Sequence, residues 1–444
     1  MKDIVKTPIR TGDNDMVLSL PMTVHIELTS SCCFTCRHCY NFWRKKKIDH
    51  VFMTEEGLDK ILDELIKNGV MHVIFTGGEP FMNRKVLLRG IKRLKSAGLS
   101  STCNSTLAVF NSIEELKELR DAGLEHILTS LNSCSEETND YLVTKRGAQS
   151  RIIKGIQNAI TAGIRISVNM IISENNIDDI YRTGELASRL GAKKFFGTRV
   201  VPHLSGRIED QKEFLIYQKE ARFILDELIK VQDDFAIQVG TLVPFPYCFI
   251  FQEDVRQKYT RFYSHGCPAG NKMISINANG ETHACVHEEQ GYGNILEIGL
   301  ESAWKNMKKW RSGEYFPSVC KECELFDECN GGCRLSTLAY KGDVSSTDNL
   351  RVGWAQGNKR VGNSNERVLL KARYTVPQTL RFRKENGFSV VDRFGSEALC
   401  VKDRIAKVLI DHKLKKTAFI PEDEGILDVE TLKTLINEKL LVKA

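Results

Sequence analysis

Residues 32–39 read CCFTCRHC, four cysteines and a histidine in a short run that Tyr40 follows directly. Within it Cys32, Cys36 and Cys39 have the spacing C-x3-C-x2-C, with Cys33 as an extra neighbour. Three thiolates hold three irons. A cubane iron–sulfur cluster on this triad therefore keeps one iron without a protein ligand, free to bind a molecule that brings its own donor atoms. The bland alternative is structural zinc, but zinc wants four ligands, and His38 beside Cys39 does not easily reach the same ion. Tyr40 places an aromatic ring where it can pack against a bound purine or simply join the core.

A second constellation runs from Cys267 to Cys333. Cys267, Gly280 and Cys285 give C-x12-G-x4-C, and Cys320, Cys323, Cys329 and Cys333 give C-x2-C-x5-C-x3-C. A zinc ribbon would explain one C-x2-C pair; beside the first triad, cluster ligation explains the whole set. The opening MKDIVKTPIR lacks the apolar core of a secretory signal, and no apolar run reaches the roughly 18 residues of a membrane span. The expected location is therefore cytoplasmic, with no membrane partner, and there 14 cysteines are poor disulfide material. Cys103, Cys134 and Cys400 stand alone and read as buried thiols. Lys and Arg number 63 against 57 Asp and Glu, which does not favour nucleic acid as a partner, and the basic run 44–47 reads as a solvated loop.

At 444 residues the chain is too long for one ordinary core and predicts two or three domains. Apolar runs at 24–28, 73–76, 102–104, 126–130, 164–171 and 194–200 read as strands. Between them lie helical patterns: one capped by Thr54, with Leu58, Ile61, Leu62, Leu65 and Ile66 on its apolar face, then 86–97, one opened by a Ser112–Glu115 capping box, 151–162 and 178–190. Six strand–helix units predict an α/β fold, a partial (β/α)6 barrel over 1–235, with chemistry at the C-terminal ends of its strands. The opening cysteines lie at such an end.

Cys32, Cys36 and Cys39, together with Gly77-Gly78-Glu79-Pro80 after the second strand, resemble the radical S-adenosylmethionine (SAM) superfamily. The resemblance implies that a [4Fe-4S] cluster on the triad binds S-adenosylmethionine through its open iron. One electron, from a donor such as ferredoxin or flavodoxin, then cleaves the sulfonium to methionine and a 5′-deoxyadenosyl radical that abstracts substrate hydrogen. It also implies that Gly77, Gly78 and Glu79 receive the methionine amino group, and that Asn104, Ser130 and Asn169 contact ribose and carboxylate. Residues 236–350, with the second constellation, resemble the SPASM extension, which holds auxiliary clusters. By that resemblance Cys267, Cys285 and Cys333 hold an inner cluster and Cys320, Cys323 and Cys329 an outer one. Two full clusters need eight cysteines. The usual last cysteine is replaced in the stretch DNLR, 348–351, so Asp348 and the upstream Cys248 are the candidate remaining ligands.

Residues 341–366 are rich in Gly, Ser and Asn and read as a linker into a separate module, with the domain boundary placed at 351–366. As a coil, 341–366 would span about 28 Å, enough to reach the barrel mouth. In 367–444 a hairpin, 379–383 and 388–394 around Asn386-Gly387, precedes helices at 403–412 and 428–441, giving a small winged-helix-like α+β module. This pattern resembles the PqqD-like module that binds the leader of a precursor peptide; a helical cap on the cluster domain is the other reading. The function implied is a radical SAM maturase that installs a thioether or carbon–carbon crosslink in a ribosomally made precursor peptide. Two alternatives are a formylglycine-generating sulfatase maturase, against which Val286 after Cys285 counts because those enzymes carry Asp there, and a non-catalytic zinc-stabilised binding protein.

Overall fold

The structure, a computed structural model, describes residues 4–5, 17–41, 50–109, 112–204, 208–252, 256–259, 262, 266–353, 373–393, 398–426 and 428–444. The basic run 44–47 and the linker residues 354–366 lie outside them. Strand β1, Ile4–Val5, belongs to a second sheet taken up below. In the main sheet β2 (Thr23–Glu27), β3 (His72–Thr76), β4 (Ser100–Asn104), β5 (His126–Ser130), β6 (Arg165–Ile172), β7 (Lys194–Arg199) and β8 (Gln238–Gly240) run parallel in that order. On the other side of β2, β9 (Met273–Ile276) adds in parallel, and β10 (Thr282–His283) pairs antiparallel to β9. The nine-stranded sheet thus ends in β10 and β8, which do not pair with each other. This is the expected α/β strand–helix succession, extended at both sides by strands that the six-unit reading did not include.

Local signals explain the helices between the strands. Thr54 Oγ1 accepts the Gly57 N–H at 3.0 Å and opens helix Glu55–Lys67, which buries Leu58, Ile61, Leu62 and Leu65. Ser112 accepts the Glu115 N–H and opens helix Ile113–Ala122. One sheet face, with Val24, Ile26, Val73, Phe75, Ile127, Ile166 and Val168, is fully buried. The alternate positions carry polar groups: His72 bonds Ser100 at 2.7 Å and Thr102 at 3.1 Å, and His126 bonds Ser167 at 2.8 Å. Burial keeps these imidazoles neutral, lowering His72 to about 3 and His126 to about 4.

The Gly- and Ser-rich stretch after Lys341 is not coil where it is described. Gly342, at φ +72°, ends helix Arg334–Lys341, and the buried Arg334 guanidinium donates to the carbonyls of Val344 at 3.1 Å and Ser346 at 2.8 Å. Leu350 is fully buried. Residues 342–353 are therefore a packed loop of the cysteine-rich region, because a buried arginine satisfies backbone carbonyls that a coil would turn to water.

The C-terminal module has strands β11 (Tyr374–Thr375), β12 (Leu380–Lys384), β13 (Phe388–Arg393) and β14 (Leu399–Lys402), helices Asp403–Lys415 and Val429–Asn437, and β15 (Val442–Lys443). Its sheet has the order β1-β14-β13-β12, and β11 pairs with β15. Gly387 turns the hairpin at φ +78°. Leu380, Val391, Leu399, Val401, Ile405, Leu409, Leu432 and Leu435 form a core of its own, while Phe388, Val390 and Cys400 join the main core. Arg383 fixes the docking: it donates to the carbonyls of Leu20 at 2.7 Å, Pro21 at 2.8 Å and Gly69 at 3.2 Å, and its partner Glu385 accepts the Ser19 N–H at 2.9 Å. These segments lead into β2 and β3. The module therefore packs at the N-terminal end of the parallel strands, opposite the end where the cysteine loop begins.

Arg383→Ala would leave Glu385 buried without its cation and three carbonyls without a donor. A loss of about 3 kcal/mol is expected in chemical unfolding, with proteolysis entering first between the main sheet and the module; an unchanged midpoint would contradict the docking.

Candidate active site

The cysteine loop leaves the C-terminal end of β2 and is tied at once to the turn after β3. Leu28 N–H donates to Thr76 O at 2.9 Å, Gly78 N–H to Thr29 O at 2.7 Å, and Glu79 N–H to Ser31 O at 2.7 Å. This close approach explains the paired glycines. A Cβ on Gly77, which sits at φ +136°, would lie 2.5 Å from Thr29 O, and one on Gly78 would lie 2.0 Å from Ser31 O. Glu79 is fully buried, and its carboxylate accepts from Ser105 Oγ at 2.8 Å, Thr106 N at 2.8 Å and Thr106 Oγ1 at 2.6 Å. Burial pushes its carboxyl up to about 7 against those hydrogen bonds. The Gly-Gly-Glu turn thus holds the cysteine loop with its backbone and the β4 loop with its carboxylate. Cys33, the extra thiol, lies 3.6 Å from Thr106 Oγ1.

Asn104, Ser130 and Asn169 fall on one face at neighbouring strand ends, since Asn104 registers with Leu128 and Ser130 with Asn169. Glu27 and Thr76 register with each other on the same face at the ends of β2 and β3. Asn169 is buried, and its Oδ1 accepts from Thr198 Oγ1 at 2.6 Å. Asn104 and Ser130 are half-buried at the open end of the sheet.

Tyr40 connects the two cysteine regions. Its hydroxyl bonds Thr76, and its ring lies 4.5 Å from that of His287. His287 Nδ1 in turn lies 3.5 Å from Cys285 Sγ. Burial pushes the Tyr40 hydroxyl up and holds His287 neutral, at about 4. The sequence pattern marked Tyr40 and offered His287 as a substitute cluster ligand, but gave no sign that the two rings meet, which depends on β9 and β10 joining the sheet beside β2.

Cys285 sits close enough to Cys267 and Cys333, and Cys333 close enough to Cys267, to feel their charge, and burial pushes Cys333 up to about 12 and Cys285 well above the ordinary range. Cys320, Cys323 and Cys329 line a single cavity, and Cys248 lines it with them. Thiols this buried become thiolates only with cations among them, and sulfur donors are what iron–sulfur clusters take, so the donor sets fit the groups expected. Among the described residues no three His, Cys, Asp or Glu side chains converge on a single-ion site. Cys103 and Cys400 are buried and Cys134 is half-buried.

Asp348 has a different setting from the one expected. Its Oδ2 accepts from Arg199 Nη2 at 2.7 Å and Cys333 N at 2.9 Å, and its Oδ1 from Arg199 Nη1 at 3.2 Å and Leu350 N at 3.0 Å. Arg199 and Asp348 are almost completely buried.

Comparison with known proteins agrees with this geometry. Residues 26–187 match the sequence model of the radical SAM superfamily, and 267–324 match that of SPASM, an iron–sulfur cluster-binding domain. A PqqA peptide cyclase of Rhizobium meliloti is 27% identical over 78% of this chain and 91% of its own length. An AdoMet-dependent heme synthase of Methanosarcina barkeri is 26% identical over 73% and 94%. Streptococcus suis SuiB, solved with its precursor peptide SuiA, shares the fold with a TM-score of 0.59 at 17% identity, over 77% of each chain. No described helix is long and apolar enough to cross a membrane.

Gly78→Ala should displace the Ser30–Ser31 backbone without touching any cysteine. The expected outcome is at least about tenfold weaker S-adenosylmethionine binding, roughly 1.4 kcal/mol, with iron content and circular dichroism close to the parent; equilibrium dialysis that found parent affinity would contradict the close packing.

Proposed function

The chain is a radical S-adenosylmethionine enzyme with a SPASM iron–sulfur domain, and from that premise we propose that it modifies a ribosomally made precursor peptide, joining two of its residues by a thioether or carbon–carbon bond. The observation that carries this reading is the bridge from Tyr40 through His287 to Cys285, which puts the inner auxiliary thiols beside the first cysteine loop. The cyclase relative, matched over nearly all of its length, supports a peptide as substrate.

In this reading Cys32, Cys36 and Cys39 hold the first cluster, and Cys267, Cys285 and Cys333 hold an inner cluster. Reductive cleavage of S-adenosylmethionine bound at the first cluster supplies the hydrogen-abstracting radical, and a one-electron donor of the ferredoxin or flavodoxin class is the implied partner. The chain's own residues position and exclude. The Gly77–Glu79 turn fixes the cysteine loop, Asn104, Ser130 and Asn169 offer polar contacts from one sheet face, and Tyr40 with His287 walls the space between the two thiol sets against water. Three protein thiolates on the inner cluster would leave an iron for a substrate sulfur, which favours the thioether.

The C-terminal module is proposed to bind the leader by strand addition. Its sheet's two outer strands are β1 and β12; β12 carries the arginines that dock on the main sheet, so the leader is proposed to add beside β1.

The test is anaerobic incubation of reduced enzyme with S-adenosylmethionine and a cysteine-containing peptide taken from a short reading frame neighbouring its gene. A peptide lighter by two hydrogens, with the new bond located by fragmentation, is expected. Formation of formylglycine, or decarboxylation of a tetrapyrrole with no change in any peptide, would overturn the reading.

A further inference from the structure

We propose that Cys248 completes a four-thiolate set with Cys320, Cys323 and Cys329, so that the outer auxiliary cluster takes its last protein ligand from upstream of the SPASM motif, while Asp348 is a positioning residue. The four side chains line one cavity, together with Tyr247 and Arg351. Cys248 lies on the short helix Tyr247–Ile250, and that helix is fastened to the set because Tyr247 N–H donates to Cys329 Sγ at 3.3 Å.

The loop that should carry the missing cysteine is present and does different work. Arg351 donates to the sulfur of Cys320, and the backbone N–H groups of Val352 and Gly353 donate to that of Cys248. Gly331 and Gly332 N–H groups do the same for Cys329. Donors aimed at sulfur stabilise thiolate charge and help set a cluster's potential, so the loop after Asp348 serves the site as a cradle. Asp348 itself lacks a free oxygen: its bonds to Arg199, Cys333 N and Leu350 N use both. It holds the Cys333 backbone in place, and Gly332 makes room for it, since a Cβ there would meet Asp348 Oδ2.

This proposal rests on the iron–sulfur reading of the domain and not on the peptide substrate, so its test needs no substrate. In a C32A/C36A/C39A background, where auxiliary clusters alone contribute, Cys248→Ser is compared with Asp348→Asn by iron and acid-labile sulfide analysis and by electron paramagnetic resonance (EPR) of the reduced protein. Cys248→Ser should lose roughly four irons or shift one of the auxiliary signals, and Asp348→Asn should keep the number of auxiliary clusters, with g-values free to move because Arg199 loses its charged partner. Unchanged iron and signals in Cys248→Ser, or loss of roughly four irons in Asp348→Asn alone, would overturn the assignment. Because either variant can fail to fold, the unmutated holoenzyme is also alkylated under native conditions before and after iron is stripped with chelator. Cys248 should be protected and released together with Cys320, Cys323 and Cys329; equal labelling of Cys248 before and after stripping would overturn the proposal.

Discussion

The buried pair of Arg199 and Asp348 ties the closing loop of the cysteine-rich region to the end of a parallel strand. Arg199 ends β7, one of the parallel strands, and Asp348 lies in the loop that closes the cysteine-rich region. The guanidinium also donates to Pro244 O and Asn349 Oδ1, both at 2.9 Å, so its charge is dispersed over fixed acceptors. Burying two charges is costly in itself, and such a pair is weak evidence of net stability; losing one member, however, strands the other at about 3–5 kcal/mol. What the pair secures is geometry. Through Cys333 N and the loop that follows Asp348, it sets where both auxiliary thiol sets stand relative to the ends of the parallel strands.

A second constraint acts at the other end of the site. The cysteine loop lies so close over Gly77 and Gly78 that no side chain fits between them. The first cysteine loop is therefore located by backbone contacts to the turn after β3, and Cys267 and Cys285 by β9 and β10, which extend the same sheet beside β2. One continuous sheet thus carries both, and Tyr40 and His287 fill the gap. Proximity between the first cysteine loop and the second cysteine region follows from sheet continuity.

Much of this was legible in the sequence because its signals are local. Buried strands show as short apolar runs, Thr54 and Ser112 announce helices, and Asn386-Gly387 announces a hairpin. The missed features are long-range. Arg199 and Asp348 are separated by 149 positions, and neither carries a local sign of the other. Strand β1 has two residues and is defined only by its partner β14, while β9 and β10 hide inside a stretch that reads first as a cysteine motif. Glycine- and serine-rich composition suggested coil at 342–353, where a single buried arginine, Arg334, supplies the order instead. Cys248 seemed remote because it precedes the motif, and only the folded chain shows which thiols it faces.

The central claim is that two cysteine regions, brought together by one sheet, do separate work: the first binds S-adenosylmethionine at an open iron, and the second holds auxiliary clusters that do not. EPR of the dithionite-reduced protein, recorded with and without S-adenosylmethionine, tests it most directly. The account predicts that one cluster signal shifts on addition of S-adenosylmethionine and is absent from the C32A/C36A/C39A protein, while the remaining signals are indifferent to it. A protein with zinc and no acid-labile sulfide, or one in which the S-adenosylmethionine-sensitive signal survives loss of Cys32, Cys36 and Cys39, would contradict it.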